Sequence, residues 1–106
     1  MVARVSVPAT ARRGEELEVR IAIQHPMETG FRFDANGRAI TKNVVNNLVV
    51  RFEGEEVLVA ELGSGIAANP YLQFTAVADR SGTFTFEWVD DQGVRETQAA
   101  AITVTP

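Results

Sequence analysis

Cysteine is absent from the 106 residues, lysine and histidine occur once each, at Lys42 and His25, and no apolar run is long enough to cross a membrane. Without cysteine there is no disulfide, no thiolate nucleophile and no thiolate metal ligand. Any thiol chemistry must belong to a partner. A single histidine would have to serve every base role, and no serine triad, glycine-rich phosphate loop or basic-aromatic stripe accompanies it. The opening MVARVSVP carries one arginine but no apolar stretch of about 7–15 residues, so it reads as neither a secretory signal nor a membrane span. The net charge of −4 and pI near 4.9 argue against nucleic acid, which needs clustered Lys and Arg. Catalysis by this chain alone is not expected.

What is present has a period of two. Leu17, Val19, Ile21 and Ile23 alternate with Glu16, Glu18, Arg20 and Gln24; Leu48, Val50 and Phe52 alternate with Val49, Arg51 and Glu53; Phe84, Phe86 and Trp88 alternate with Thr83, Thr85 and Glu87. Each is the pattern of a half-buried strand. Further strands are expected over Ala3–Val7, Glu56–Glu61, Tyr71–Ala78 and Thr97–Val104, about seven in all, and nothing reads as a long helix. Glu53-Gly54-Glu55 and Asp90-Asp91-Gln92-Gly93 read as hairpin turns, and Arg13-Gly14 and Ser81-Gly82 punctuate likewise. With 45% hydrophobic residues the chain can bury one core. The expected architecture is a single domain over residues 1–106, all-β, an immunoglobulin-like β-sandwich of antiparallel strands. Phe52, Phe84, Phe86 and Trp88 are assigned to its core.

Two intervals escape the alternation. HPMETGFRFDANGRAITK, His25 to Lys42, is longer than an ordinary connection of about 4–6 residues. Asp34, Asn36 and Gly37 suit a tight reversal between Phe31-Arg32-Phe33 and Arg38-Ala39-Ile40, which predicts a projecting loop or hairpin. The other, Gly63 to Pro70, reads as a sandwich-end loop. His25 and Glu28 supply at most two metal ligands where a stable site needs three or four, so no metal or cofactor is expected. Met27 reads as a thioether on an exposed loop, suited to packing on a partner. Asp90-Asp91 and Glu53, Glu55 and Glu56 read as solvated turn formers.

Several separate segments in order carry a family resemblance: RVSVPATARRGEELEVR from Arg4 to Arg20, QHPMETGFR from Gln24, DANGRAI from Asp34, AANPYLQF from Ala67 to Phe74, and the closing AAITV. Over essentially its whole length the chain resembles the SoxZ family, the non-catalytic subunit of the SoxYZ sulfur carrier of thiosulfate oxidation. Phe33 stands where the family leads one to expect a polar or basic residue after GFR. The resemblance implies an immunoglobulin-like sandwich that pairs with a SoxY-like subunit, whose flexible C-terminal arm carries sulfur intermediates on a cysteine. It also implies transient docking of a cytochrome, a manganese hydrolase and a sulfane dehydrogenase, and periplasmic residence by co-export with a signal-bearing partner.

On that reading the partner-binding candidates are His25, Met27, Glu28, Phe31, Arg32, Phe33, Arg38, Asn69 and Tyr71, with aromatic and arginine side chains as natural anchors. Neither nucleic acid nor membrane is expected as a partner, and no residue is assigned to catalysis. Two other readings stand beside it. One is direct binding of an anionic sulfur compound by His25, Glu28 and Arg32; the other is a generic immunoglobulin-like interaction domain.

Overall fold

A computed structural model describes residues 2–63 and 68–106. The described chain is all strand and turn: β1 (Val2–Ser6), β2 (Thr10–Arg12), β3 (Glu16–Gln24), β4 (Val45–Phe52), β5 (Glu55–Glu61), β6 (Tyr71–Val77), β7 (Gly82–Asp90) and β8 (Arg95–Thr105). They form two sheets, a three-stranded one in the order β1-β3-β6 and a five-stranded one in the order β2-β8-β7-β4-β5. This is the expected sandwich, with one strand more than the alternation predicts. Thr10–Arg12 is too short to show a period, and it pairs parallel to β8 where only antiparallel pairing was expected.

The alternating positions face each other across the two sheets. Leu17, Val19, Ile21 and Ile23 of β3 meet Leu48 and Val50 of β4, Phe84, Phe86 and Trp88 of β7, and Ile102 of β8, all buried. Burying each such side chain is worth about 1.5–3 kcal/mol relative to leaving it in water, and this layer is the main source of stability. Trp88 lies in the core as expected, with an indole N–H that has no hydrogen-bond partner there. Polar atoms also span the sheets, since Gln98 of β8 donates from Nε2 to the Ala3 carbonyl of β1 at 2.8 Å.

Phe52 and Phe84 stack tilted with ring centres 4.8 Å apart, and the Arg80 guanidinium sits 5.7 Å from the Phe52 ring centre. Gly82 fits beneath this cluster because it has no side chain. A Cβ there would lie 2.7 Å from Phe52 Cζ and 2.7 Å from Glu53 Cγ. Gly82→Ala is therefore expected to cost about 1–3 kcal/mol through overpacking, read as a lower urea midpoint at unchanged m-value.

The molecule measures 61 × 19 × 19 Å, longer than the roughly 36 Å that its 11-residue strand spans. Part of the difference is the connection between β3 and β4, which leaves the sandwich as an arm.

Candidate functional site

The arm is built by its own sequence. Asp34 Oδ1 accepts the Asn36 and Arg38 amides at 2.9 and 3.0 Å, an Asx-type cap that closes the reversal. Gly37 lies at φ 77°, and its amide donates to the Asp34 carbonyl at 3.0 Å. The two legs then pair antiparallel: Phe33 bridges Ala39, the Ile40 amide donates to the Arg32 carbonyl at 2.8 Å, and Glu28 bridges Asn43 with both backbone bonds made. The expected hairpin is present, at the expected turn.

Its two faces differ. Phe31 is 83% exposed and Phe33 67%, the highest values among the large hydrophobic side chains described. Arg32 and Arg38 flank them, both exposed. Arg32 Nη1 donates to Glu28 Oε1 at 2.7 Å, so this guanidinium is held along the arm. The other carboxylate oxygen of Glu28 is buried without a partner, as is the Asn43 side-chain oxygen on the facing leg. Arg38 makes no ion pair among the described residues. No packing of its own makes the tip apolar; two phenylalanines are simply left in water beside two arginines.

The arm's base is the reverse. His25, at the end of β3, is 3% exposed, and Asp90, at the end of β7, 5%. His25 Nδ1 accepts the Met27 amide at 2.9 Å. The hydrogen is thereby assigned to Nε2, which donates to Asp90 Oδ2 at 3.3 Å. Because β3 and β7 belong to different sheets, this pair ties the two layers together where the arm departs. Asp90 Oδ1 also accepts the amides of Gln92 and Val94, each at 3.0 Å. Burial pushes the Asp90 carboxyl up, but the Val94 amide, His25, the Gln92 amide and Asn43 together outweigh it and hold the group below its ordinary value.

The neighbouring Asp91 fastens the returning leg. It accepts Asn46 Nδ2 at 2.9 Å and the Val44 amide at 3.2 Å, and the Asn46 bond leads the effects that lower its carboxyl as well. Met27, at φ 50°, is buried, with the Val45 amide 3.2 Å from its sulfur. Asn69, at φ 55°, accepts the His25 amide on Oδ1 at 3.0 Å and donates its own amide to the His25 carbonyl at 2.7 Å.

These positions correct three expectations. Met27 is not an exposed thioether, because its side chain joins the buried core and its sulfur meets the Val45 amide of β4. His25, expected among the partner-binding residues, is buried against Asp90 and offers a partner no surface. Asp90 is not a solvated turn former, because its carboxylate caps its own turn and crosses to β3. His25, Glu28 and Arg32 are not free to hold an anion together either. His25 is committed to Asp90 and Arg32 to Glu28, which removes the geometry that direct anion binding by the three would need.

Phe31, Arg32, Phe33 and Arg38 are brought together at the exposed part of the arm. Asn69 supports the base, and Tyr71 begins β6 on the outer face of the three-stranded sheet, its hydroxyl donating to Gln73 at 3.0 Å. Residues 64–67 of the expected end loop lie outside the described residues. Among the described residues no three His, Asp or Glu side chains group to hold an ion.

The profile of the family described as "Sulphur oxidation protein SoxZ" matches residues 4–101. The chain belongs to the SoxZ family. No curated protein matches it. Solved structures of the same fold include a superoxide reductase (neelaredoxin) from Ignicoccus hospitalis, 17% identical with a TM-score of 0.73 over 99% of this chain and 81% of that one. They also include the sulfur carrier protein SoxY from Chlorobium limicola f thiosulfatophilum, 11% identical with a TM-score of 0.69 over 98% of this chain and 79% of that one. At such identities the likeness carries the fold alone. Family membership places the chain in sulfur oxidation, and the sandwich it was expected to have is the one observed.

Proposed function

We propose that this chain is the non-catalytic subunit of a sulfur carrier, holding a SoxY-like partner whose cysteine bears the sulfur, and that the arm is its docking element. The observation that carries the reading is the exposed tip: Phe31 and Phe33 face water beside Arg32 and Arg38 on a hairpin whose turn is capped and whose legs are bridged by backbone hydrogen bonds. Aromatic and arginine side chains on a pre-formed segment lose little freedom on docking and dominate the energetics of interfaces. The chain's own lack of cysteine fits a division of labour in which thiol chemistry lies elsewhere. Docking of the cytochrome, the manganese hydrolase and the sulfane dehydrogenase on the assembled carrier, and a periplasmic location shared with the partner, belong to the same reading.

Co-expression with a SoxY-like protein, affinity purification through a tag on one chain and a solution mass test it. A complex of defined stoichiometry that survives purification is expected. A folded partner that fails to associate across salt and redox conditions would overturn the proposal. Calorimetric titration of the isolated chain with thiosulfate is expected to give no saturable heat, because His25 is buried against Asp90 and Arg32 is paired with Glu28.

A further inference from the structure

The sandwich presents edges at β1, β6, β5 and β2, and along the part of β8 before Thr103 that β2 leaves uncovered, which carries Arg95 and Glu96; they are not equally protected. An open edge is usually blunted by shortness, charge, proline or a bulge. β2 has three residues, β1 carries Arg4, and β5 carries Glu55, Glu56 and Glu61 opposite an irregularity in β4. β6, YLQFTAV, has seven residues with no charge, no proline and no glycine, and its register with β3 is unbroken. Its terminal residues Tyr71 and Val77 are 57% and 64% exposed. Nothing among the described residues pairs with its outer side.

The backbone parity of this edge is fixed. Ile23 donates to the Pro70 carbonyl at 2.9 Å, Gly14 donates to the Ala78 carbonyl at 2.7 Å, and the Ala78 amide donates to Glu15 at 2.8 Å. Even-numbered residues therefore bond inward to β3. By the alternation of an antiparallel ladder, Tyr71, Gln73, Thr75 and Val77 turn their amides and carbonyls outward.

We propose that β6 is a strand-addition edge and that its occupant is the β6 of a second copy, antiparallel about a two-fold axis at Phe74. That register sets Gln73 opposite Thr75 and Tyr71 opposite Val77 of the second copy. Every outward-facing residue then meets another outward-facing residue, so each pair exchanges both of its backbone bonds. A shift by one residue would set outward-facing residues against inward-facing ones. The side-chain pairs match as well: an aromatic against a β-branched residue, an amide against a hydroxyl, and no like charges within the strand. The two three-stranded sheets become one continuous sheet. A seam of about 390 Å³, where Leu17, Phe52, Val57 and Phe84 meet the charged Glu55 and Arg80, flanks the Val77 end of this strand in each copy. The inference does not depend on the carrier reading, since it uses neither the arm nor a partner subunit.

The absence of cysteine allows a test of register. Gln73→Cys and Thr75→Cys are made separately; both side chains face solvent on the outer face. Opposed residues of a bonded pair have Cα atoms about 5.5 Å apart, within disulfide range, whereas position 73 lies roughly 8–9 Å from its own symmetry mate, beyond that range. In a thiol–disulfide buffer the mixture of the two full-length variants is expected to form a linked dimer at least tenfold faster than either variant alone. Thr75→Pro, which removes only an outward amide, is expected to abolish the concentration-dependent dimer in sedimentation while leaving the far-ultraviolet strand signal intact. Equal cross-linking in all three samples, no cross-linking in any, or a dimer unaffected by Thr75→Pro with its strand signal retained would overturn the proposal. The cysteine pair decides the matter even if the proline variant does not fold.

Discussion

Asp90→Ala is expected to lower the unfolding free energy by about 2–4 kcal/mol, a large share of what a domain of this size possesses. The change strips the acceptor from the amides of Gln92 and Val94 and from His25 Nε2 at once. It also opens the joint between the two sheets. The conservative change Asp90→Asn is expected to restore only part of the loss. An asparagine can still accept the two turn amides through one oxygen, but its Nδ2 then faces the Nε2 hydrogen of His25. Turning the imidazole to the other tautomer sets a hydrogen on Nδ1 against the Met27 amide. Either arrangement leaves two donors facing each other, so Asp90→Asn is expected to fall between wild type and Asp90→Ala in urea unfolding.

The pH dependence gives a second signature of the same pair. The Asp90 carboxyl in the folded protein lies below its ordinary value near 3.9. Its ionised form is thus favoured by folding, so its contribution is fully present above about pH 4 and is lost as the pH falls through the lower folded value. Asp91 is shifted in the same direction and acts in the same window. Stability measured between pH 5 and pH 2 should fall less steeply in Asp90→Asn than in wild type, with the remaining slope due to Asp91 and the other acids. An identical acid limb in both would show that the Asp90 charge is not favoured by folding.

What the sequence tells and what it hides separate along one physical line. The strands are legible because alternation is a local consequence of burying one face, and Leu17 to Ile23 or Phe84 to Trp88 show it without reference to anything distant. The arm's turn is legible for the same reason, since Asp34 caps amides two and four residues away. The parallel pairing of Thr10–Arg12 with β8 is not, because it joins segments from opposite ends of the chain. His25 and Asp90 fail in the same way: 65 residues separate them, and each alone carries the composition of an exposed loop. Met27 reads as exposed because its neighbours are polar, and it is buried because the arm folds its base over β4. The aromatic tip was legible as a candidate, but only the structure distinguishes Phe31 and Phe33 from residues that fold back onto the sandwich.

The double change Phe31→Ala with Phe33→Ala is expected to weaken association with the SoxY-like partner by about 2–4 kcal/mol, roughly 30- to 1000-fold in Kd, while stability of the isolated chain moves by less than about 0.5 kcal/mol. The two halves of the expectation come from one fact. Side chains 83% and 67% exposed have little contact to lose on truncation in the free chain, so any large effect must arise in the complex. The turn would survive, since it is held by Asp34 and Gly37 rather than by the rings. Arg32→Ala offers a graded companion, expected to cost about 1–3 kcal/mol, because the guanidinium is already oriented by Glu28 and surrenders little freedom on docking. Arg38→Ala, removing a charge free of ion pairs among the described residues, should slow association more than it speeds dissociation and lose its effect at high salt. Titration by calorimetry and stopped-flow mixing would separate these outcomes. An affinity unchanged in the double variant would move the docking surface away from the arm, and the buried pair at its base would then serve stability alone.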